Sequence, residues 1–280
     1  AMTSKTQSIS NEIRANLLQL KSLASLASFL PLDAGLRARL DAYAPRGRVS
    51  NLNAQWQGSL EKPDSYKIKG KFENLAVRKV GEMPGFSGLS VDVDGSEASG
   101  KLNIKSYQLT VDAPGVMREQ LLFATLTGQA GWQRKRGELF INVDNVAIAN
   151  DDLEGNLHGS YQTKAGTLGV LDLTASLTRG DIRSAARYTP LVALDKEDND
   201  WLSGAMLAGH TEDFRVRIKG NLSDFPLDGT EDALLEIGGH ARDVVVEFDK
   251  DWPRIENISG EFWIRGKKME VKSPSATILD

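Results

Sequence analysis

The chain has 280 residues, with 34 lysines and arginines against 38 aspartates and glutamates, which gives a formal net charge of −4. The basic residues are spread along the chain among acidic ones, which argues against a nucleic-acid-binding protein because such proteins present a strongly basic surface. Cysteine is absent. This excludes disulfides, thiol nucleophiles and cysteine-ligated metal sites.

Residues 1–45 are predicted to form a helical segment. Apolar residues recur at three- and four-residue steps through residues 9–27, which predicts an amphipathic helix of about twenty residues that ends before Pro31. A second short helix is predicted over residues 33–44. The apolar stripe of the first helix must be buried, so we expect it to cover an end of the protein or to mediate self-association.

Residues 46–280 are predicted to be mainly β-structure, because the apolar spacing changes from about 3.6 residues to 2. Tyr66, Ile68 and Phe72, for example, alternate with lysines. Glycine and aspartate turn signals separate these segments at the short spacing of antiparallel hairpins. The alternation stops at about residues 182–208, where a loop and one helix are predicted.

The two ends of the β region are similar to each other, which indicates an internal repeat. The matching positions, at an offset of 169, are Ile68 with Ile237, Asn74 with Asp243, Leu75 with Val244, Phe86 with Ile255 and Leu89 with Ile258. After a two-residue slip, Ser106 matches Ser273. The predicted repeating unit is a few antiparallel strands.

The predicted helices are too few to cover one face of so long a sheet. A sheet with one apolar face must bury that face against a second layer. One solution is a sheet that closes into a barrel or sandwich. The other is an open, curved groove whose apolar face is occupied by an apolar ligand, and the residue pattern leaves both open.

Residues suited to catalysis or metal binding are few. His158, His210 and His240 are far apart, and none has a second ligand at metal-binding spacing. The aspartates at 151–152 and in 249–251 have the chemistry of a glycosidase carboxylate pair, but both positions are typical of turns at strand ends. We therefore expect no enzymatic activity, no metal and no cofactor.

Two further motifs have both a plain and a functional interpretation. Asp94-Gly95 lies in a partial calcium-loop pattern that lacks the later ligands of such a loop, and it is more typical of a hairpin turn. Arg134, Lys135 and Arg136 follow Trp132. These cations would form a solvated hairpin tip or contact a phospholipid headgroup.

Six short motifs occur in a particular order along the chain. They are Ala44-Pro45-Arg46-Gly47, Pro84-Gly85, Tyr188-x-Pro190, Trp201-Leu202, Phe225-Pro226 and Trp252-Pro253. In this order and spacing they resemble the central region of the YhdP-like members of the AsmA-like family of Gram-negative envelope proteins. The resemblance covers about residues 30–280.

The resemblance implies both a fold and a function. Members of this family are anchored in the inner membrane, extend through the periplasm, and are thought to carry phospholipid toward the outer membrane along a curved antiparallel β-sheet built from repeats. It implies that this chain is a middle segment of such a lipid-transfer protein, joined to the inner membrane through an anchor elsewhere in the parent chain. The alternative is a closed β-sandwich or barrel that serves as a structural or protein-interaction module of the envelope.

If the sheet forms a lipid groove, the apolar side of its strands lines that groove. The residues expected to line it are Trp56, Ile68, Phe72, Val93, Ile104, Ile141, Leu173, Phe214, Val216, Ile218, Ile237, Phe262 and Ile264. Phospholipid is the expected ligand, and no nucleic-acid partner is expected.

Overall fold

The computed structural model describes residues 10–26, 29, 33–59, 63–191, 193–225, 227, 230, 232–266 and 268–278. The strands are β1 (Ser10–Gln19), β2 (Arg46–Gly58), β3 (Pro63–Val77), β4 (Gly85–Ser96), β5 (Ser99–Asp112), β6 (Leu121–Lys135), β7 (Glu138–Ala149), β8 (Leu153–Gln162), β9 (Val170–Asp181), β10 (Met206–Thr211), β11 (Phe214–Asn221), β12 (Leu234–Val246), β13 (Ile255–Arg265), β14 (Lys268–Lys272) and β15 (Thr277–Ile278). The helices are α1 (Leu20–Leu26), α2 (Ala34–Tyr43), α3 (Ala185–Tyr188) and α4 (Lys196–Ala205), with short 3-10 turns at Ile182–Ser184 and Leu222–Asp224.

The described strands form one antiparallel sheet, as the alternation of apolar and polar residues predicted. Strands β1 to β9 lie side by side in chain order, and β12, β13 and β14 complete the path. Strands β10 and β11 share one position between β9 and β12. The path therefore has thirteen strand positions, or about 58 Å at the usual strand spacing of about 4.8 Å.

The sheet is open within the described residues. Strand β1 lies at one edge and β14 at the other, and the pairings of the described strands do not join these two edges. All of these strands belong to a single sheet, so they do not build the two stacked sheets of a sandwich. The part of the chain that the structure describes is thus neither the closed barrel nor the sandwich that the sequence left as an alternative.

All four described helices lie at the same end of the strands. Helix α1 follows β1 and α2 precedes β2, while α3 and α4 lie between β9 and β10. The segment that contains α3 and α4 contacts the β5–β6 connection, where the Leu191 N–H donates to the Val116 carbonyl at 2.9 Å. We call this the helix end, and we call the opposite end, with the β2–β3, β4–β5, β6–β7 and β8–β9 connections, the turn end. None of the described helices has the length and apolar character needed to cross a membrane.

The helix predicted over residues 9–27 is wrong for most of its length. Ser10–Gln19 form β1, which pairs along β2, and only Leu20–Leu26 are helical; residues 9 and 27 lie outside the described residues. The four-residue steps misled the prediction because an even spacing also fits the two-residue period of a strand. Self-association through a long apolar helical stripe therefore loses its structural basis here.

The second predicted helix is confirmed as α2. Its N-cap is Asp33, whose carboxylate accepts the N–H of Gly35 at 2.6 Å and that of Leu36 at 3.4 Å. Such a cap satisfies backbone donors that the first helical turn leaves free. The helix ends at Ala44, whose φ of 42° is left-handed. The helical interruption near residues 182–208 is also present, although its last residues already belong to β10.

The internal repeat appears in the pairing of the strands. The register of β3 with β4 shifts between Phe72 and Leu75 and again before Val77. The register of β12 with β13 shifts between residues 241 and 244 and again before residue 246, which are the same positions 169 residues later. Bulges of this kind bend a strand and increase its twist, so both copies bend their strands at equivalent places.

Hydrogen bonds at these bulges are also repeated. The Ser90 hydroxyl accepts the N–H of Asn74 at 3.0 Å, and the Ser259 hydroxyl accepts the N–H of Asp243 at 3.1 Å. Asn74 and Asp243 have φ angles of 49° and 52°, a left-handed conformation that Asn and Asp tolerate better than most residues. The same hydrogen bond, from a left-handed residue to a serine hydroxyl, thus stabilises both copies of the bulge.

The three histidines lie on exposed positions of strands, as expected, but His240 has partners that the sequence spacing did not reveal. Its ring Nδ1 lies 2.6 Å from a carboxylate oxygen of Asp213, and its Nε2 lies 3.2 Å from Glu261. The hydrogen bond and charge of Asp213 raise the pKa of His240 above its usual value. Asp213 lies in the break between β10 and β11, so this pair joins the interrupted strand to β12. Within the described residues, no cluster of three or more acidic or histidine side chains could hold a metal ion.

Candidate functional site

One face of the sheet carries a continuous row of apolar residues that crosses every strand position of the described path. Directly paired residues in antiparallel strands project from the same face. The central row contains Leu18, Val49, Phe72, Val91, Ile104, Gly128, Val146, Leu157, Ala175, Val216, Ile237, Ile264 and Met269. No polar side chain interrupts it.

Shorter rows flank the central row on the same face. Nearer the turn end lie Gly70, Val93, Leu102, Ala130, Val143, Gly159, Leu173, Ile218 and Leu235, and beyond them Ala54, Ile68, Gly95, Gly100, Trp132, Ile141, Tyr161, Leu171 and Gly220. Nearer the helix end lie Leu126, Ile148, Gly155, Leu177 and Phe214, followed by Gly239, Phe262 and Val271 on the last strands. We call the central and flanking rows together the apolar face.

The thirteen residues that the sequence singled out all project from the apolar face. Twelve belong to the rows given above. Trp56 joins them because it pairs with Tyr66, which lies two residues before Ile68 on β3. All thirteen are half-buried, which is neither the full burial of a sealed core nor full exposure to water. The rings of Phe214 and Phe262 lie 5.7 Å apart on neighbouring strand positions.

The opposite face is polar and carries ion pairs between strands. Lys69 pairs with Asp94 at 2.7 Å, and Arg217 pairs with Asp172 at 3.3 Å. These side chains are well exposed, so each pair adds little to stability. Their importance here is that they mark this face as the hydrated one, which leaves the other face to hold any apolar ligand. A shallow depression on the polar face, between β2 and β5, is lined largely by charged and amide side chains and does not suit an acyl chain.

At the helix end, part of the apolar face is covered. Val146, Ile148 and Leu153 form a buried cluster, and Tyr188 of α3 packs against it. The Tyr188 hydroxyl donates to Asp152 at 2.9 Å and accepts from the Asn150 amide at 2.6 Å. Burial raises the pKa of Tyr188 to about 12, so this hydroxyl stays protonated at neutral pH.

Arg187 fastens the same segment to two loops of the sheet. Its guanidinium pairs with Glu119, at 2.9 Å, and with Asp152. These two carboxylates raise the pKa of Arg187 further. Asp151 and Asp152 lie in the β7–β8 turn, as expected from the sequence. Asp152 therefore holds in place the segment that contains α3 and α4, which we call the helical segment from here on. The partners of Asp152 are an arginine and a tyrosine, and not the second carboxylate that a glycosidase site would need.

At the turn end, the apolar face finishes in aromatic residues that have a polar atom. The Trp132 indole lies across two glycines, since a Cβ added at Gly95 would come within 2.6 Å of its ring. The indole N–H donates to the Ser96 carbonyl at 3.0 Å. The Tyr161 hydroxyl donates a hydrogen bond to the Leu168 carbonyl at 2.9 Å.

The turn predicted at Asp94-Gly95 is wrong, because both residues lie within β4. The chain turns instead after Ser96, and Gly95 pairs with Gly100 on β5. The two glycines make room for the Trp132 ring from a third strand. No local motif encodes this requirement, since the ring comes from a residue more than thirty positions away.

Comparison with known proteins identifies a family and a curated relative. The family profile described as YhdP protein matches residues 1–280. The chain is similar to the intermembrane phospholipid transporter YhdP of Escherichia coli (strain K12), with 24% identity over 256 residues that cover 90% of this chain and 20% of the relative. The chain thus spans about a fifth of the length of that relative. No solved structure matches it.

Proposed function

Because this chain belongs to the YhdP family, we propose that it is a segment of an intermembrane phospholipid-transfer protein in the periplasm of a Gram-negative bacterium. Its apolar face lines a groove that shields acyl chains from water between the inner and outer membranes. The observation that carries this proposal is the central row, which is apolar at all thirteen strand positions. The relative is named as a transporter and not as an enzyme, in agreement with the expectation that the chain catalyses no reaction.

The energetics of such a groove are those of the hydrophobic effect. Each methylene group removed from water is stabilised by about 0.8 kcal/mol, so an acyl chain gains several kcal/mol on the apolar face. A continuous row also keeps this gain nearly constant as the lipid moves from strand to strand. Movement along the sheet therefore meets small barriers. The face itself has no means of choosing a direction, which must come from the membranes or from other proteins.

The open topology of the sheet supports a groove over a closed structural module. A sealed core would bury its apolar side chains, yet Phe72, Ile104 and Ile237 remain half-buried. Among the described residues, full burial of the central row is limited to Val49, Val91 and Val146. The covered part, near Val146, lies at the helix end beneath the segment that contains α3 and α4. This leaves the rest of the apolar face, including the turn end of β6 and β7, for a ligand.

The proposal is tested by lipid analysis of the protein purified without detergent from the periplasm of a Gram-negative host. We expect diacyl phospholipid to co-purify and to be identified by mass spectrometry of an organic extract. We also expect delipidated protein to take up a phospholipid with a fluorescent acyl chain from vesicles. An extract without lipid, together with no uptake from vesicles, would contradict the proposed function.

A further inference from the structure

We infer that the turn end of β6 and β7 is a headgroup-binding rim, where Arg134 and Arg136 contact the phosphodiester of a glycerophospholipid whose acyl chains lie on the apolar face. The inference rests on the proposed function and deepens it, since it gives the lipid an orientation. Headgroups would lie at the turn end, and acyl chains would extend toward the helix end.

The geometry of β6 places a cation directly after the apolar face. Ala130, Trp132 and Arg134 are alternate residues of one strand, so they project from the same side of the sheet. Arg136 and Gly137 form the turn that follows, with φ angles of 52° and 87°. A lipid aligned with this strand therefore meets small and aromatic apolar surface first and positive charge at the end.

The charged side-chain groups of this turn have no ion-pair partner among the described residues. Arg134, Lys135 and Arg136 are exposed, and none is in an ion pair with another described residue. The nearby carboxylate of Glu138 instead accepts a hydrogen bond from Gln162 at 2.9 Å. Charged groups that bind phosphate do so through short, charge-assisted hydrogen bonds, and these arginines are free to make them.

At the helix end of β6 and β7, the arginines of the segment that contains α3 and α4 already have partners. Arg187 is held by two carboxylates, and Arg183 is held by Asp181. Helix α4 begins with Glu197 and Asp198 in its first turn, which would repel a phosphate. The charges therefore favour the turn end as the side on which an anionic headgroup lies.

The aromatic residues mark the same boundary. Trp132 and Tyr161 present ring surface to the apolar face while their polar atoms hydrogen-bond to backbone carbonyls at the turn end. Trp and Tyr are favoured where an apolar region meets water, because one part of the ring system is apolar and the other is polar. Phe72, Phe214 and Phe262, which have no polar atom, lie in rows farther from this end.

The inference is tested with the double variant Arg134→Gln/Arg136→Gln and two fluorescent probes that carry the same acyl chains, phosphatidylglycerol and diacylglycerol. We expect phosphatidylglycerol to bind roughly fivefold more weakly at low salt, since each exposed ion pair contributes modestly, and diacylglycerol binding to be unchanged. The difference should shrink at high salt because exposed charges are then screened. The matched control is Lys67→Gln/Lys101→Gln, which removes two exposed charges from the polar face near the same end.

Several outcomes would contradict the inference that the turn end of β6 and β7 binds the headgroup. One is unchanged affinity of the arginine variant for phosphatidylglycerol, and another is an equal loss for both probes. If the lysine control weakened phosphatidylglycerol binding equally, the loss would follow from the change in net charge and not from the position of the arginines. Displacement of the lipid by equimolar glycerol 3-phosphate would indicate a site for free phosphate. If the unaltered protein bound neither probe, the proposed function itself would fail, which is a different result. Circular dichroism of both variants verifies that they are folded.

Discussion

Val216→Asp is expected to abolish phospholipid binding while the sheet remains folded. Val216 lies in the central row, paired with Ala175 on β9 and Ile237 on β12, and it is half-buried. A carboxylate there interrupts the apolar row, but water can reach it from the open face. We therefore expect the free energy of unfolding to fall by only about 1–3 kcal/mol, out of a total of about 5–15 kcal/mol. Uptake of a fluorescent phospholipid and thermal unfolding measure the two effects.

Two further variants separate an open face from a sealed core. Ser176→Asp adds the same charge to the opposite face, where Ser176 is exposed and pairs with Arg215, and it should change neither property. Ile148→Asp places the charge in the buried cluster beneath Tyr188 and should unfold the protein, because an unpaired buried charge costs several kcal/mol. The open-face account is contradicted if Val216→Asp unfolds as Ile148→Asp does, or binds lipid as Ser176→Asp does. Ile218→Asp, on the adjacent row, should behave like Val216→Asp.

Tyr188→Ala is expected to release the helical segment from the sheet. Its ring packs against the cluster of Val146, Ile148 and Leu153, and its hydroxyl bonds to both Asn150 and Asp152. Removal of a large aromatic ring from such a position costs about 3 kcal/mol. We expect this loss in urea unfolding, together with faster amide hydrogen exchange across residues 182–205.

The matched control is Tyr188→Phe, which keeps the ring and removes only the hydroxyl. It leaves the Asp152 carboxylate paired with Arg187, so the cost should be about 1 kcal/mol. Amide exchange in the helical segment should then stay slow. Equal protection of this segment in Tyr188→Ala and the unaltered protein would show that packing of this ring is not what fixes it.

The β-sheet and its apolar face could be predicted because the two-residue alternation records directly which way each side chain points. On β3, Ile68 sits between two lysines and Phe72 follows a third, and the structure places both on the side opposite those lysines. The repeat was visible for a similar reason, since a left-handed bulge position favours Asn or Asp and recurs at Asn74 and Asp243. The strand pairings show that these positions are structurally equivalent.

The features that could not be predicted depend on residues distant in sequence. The ion pair of Arg187 with Asp152 joins positions 35 residues apart, and no local spacing indicates it. The Trp132 ring that packs on Gly95 comes from a residue 37 positions away, so the local Asp94-Gly95 pattern predicts a turn where the chain forms a strand. The apolar residues of β1 fit the period of a helix as well as that of a strand, and only the pairing with β2 decides between the two.

The central claim, that lipid occupies the apolar face and not the polar one, is tested most directly by fluorescence quenching in single-tryptophan variants. One variant keeps only Trp132, on the apolar face, and the other keeps only Trp263, which is half exposed on the opposite face between Phe262 and Ile264 of β13. The remaining tryptophans are replaced by phenylalanine, and each protein is loaded with phospholipid whose acyl chains are brominated. The account predicts strong quenching of Trp132 and little quenching of Trp263. Equal quenching of both, or quenching of Trp263 alone, would contradict it.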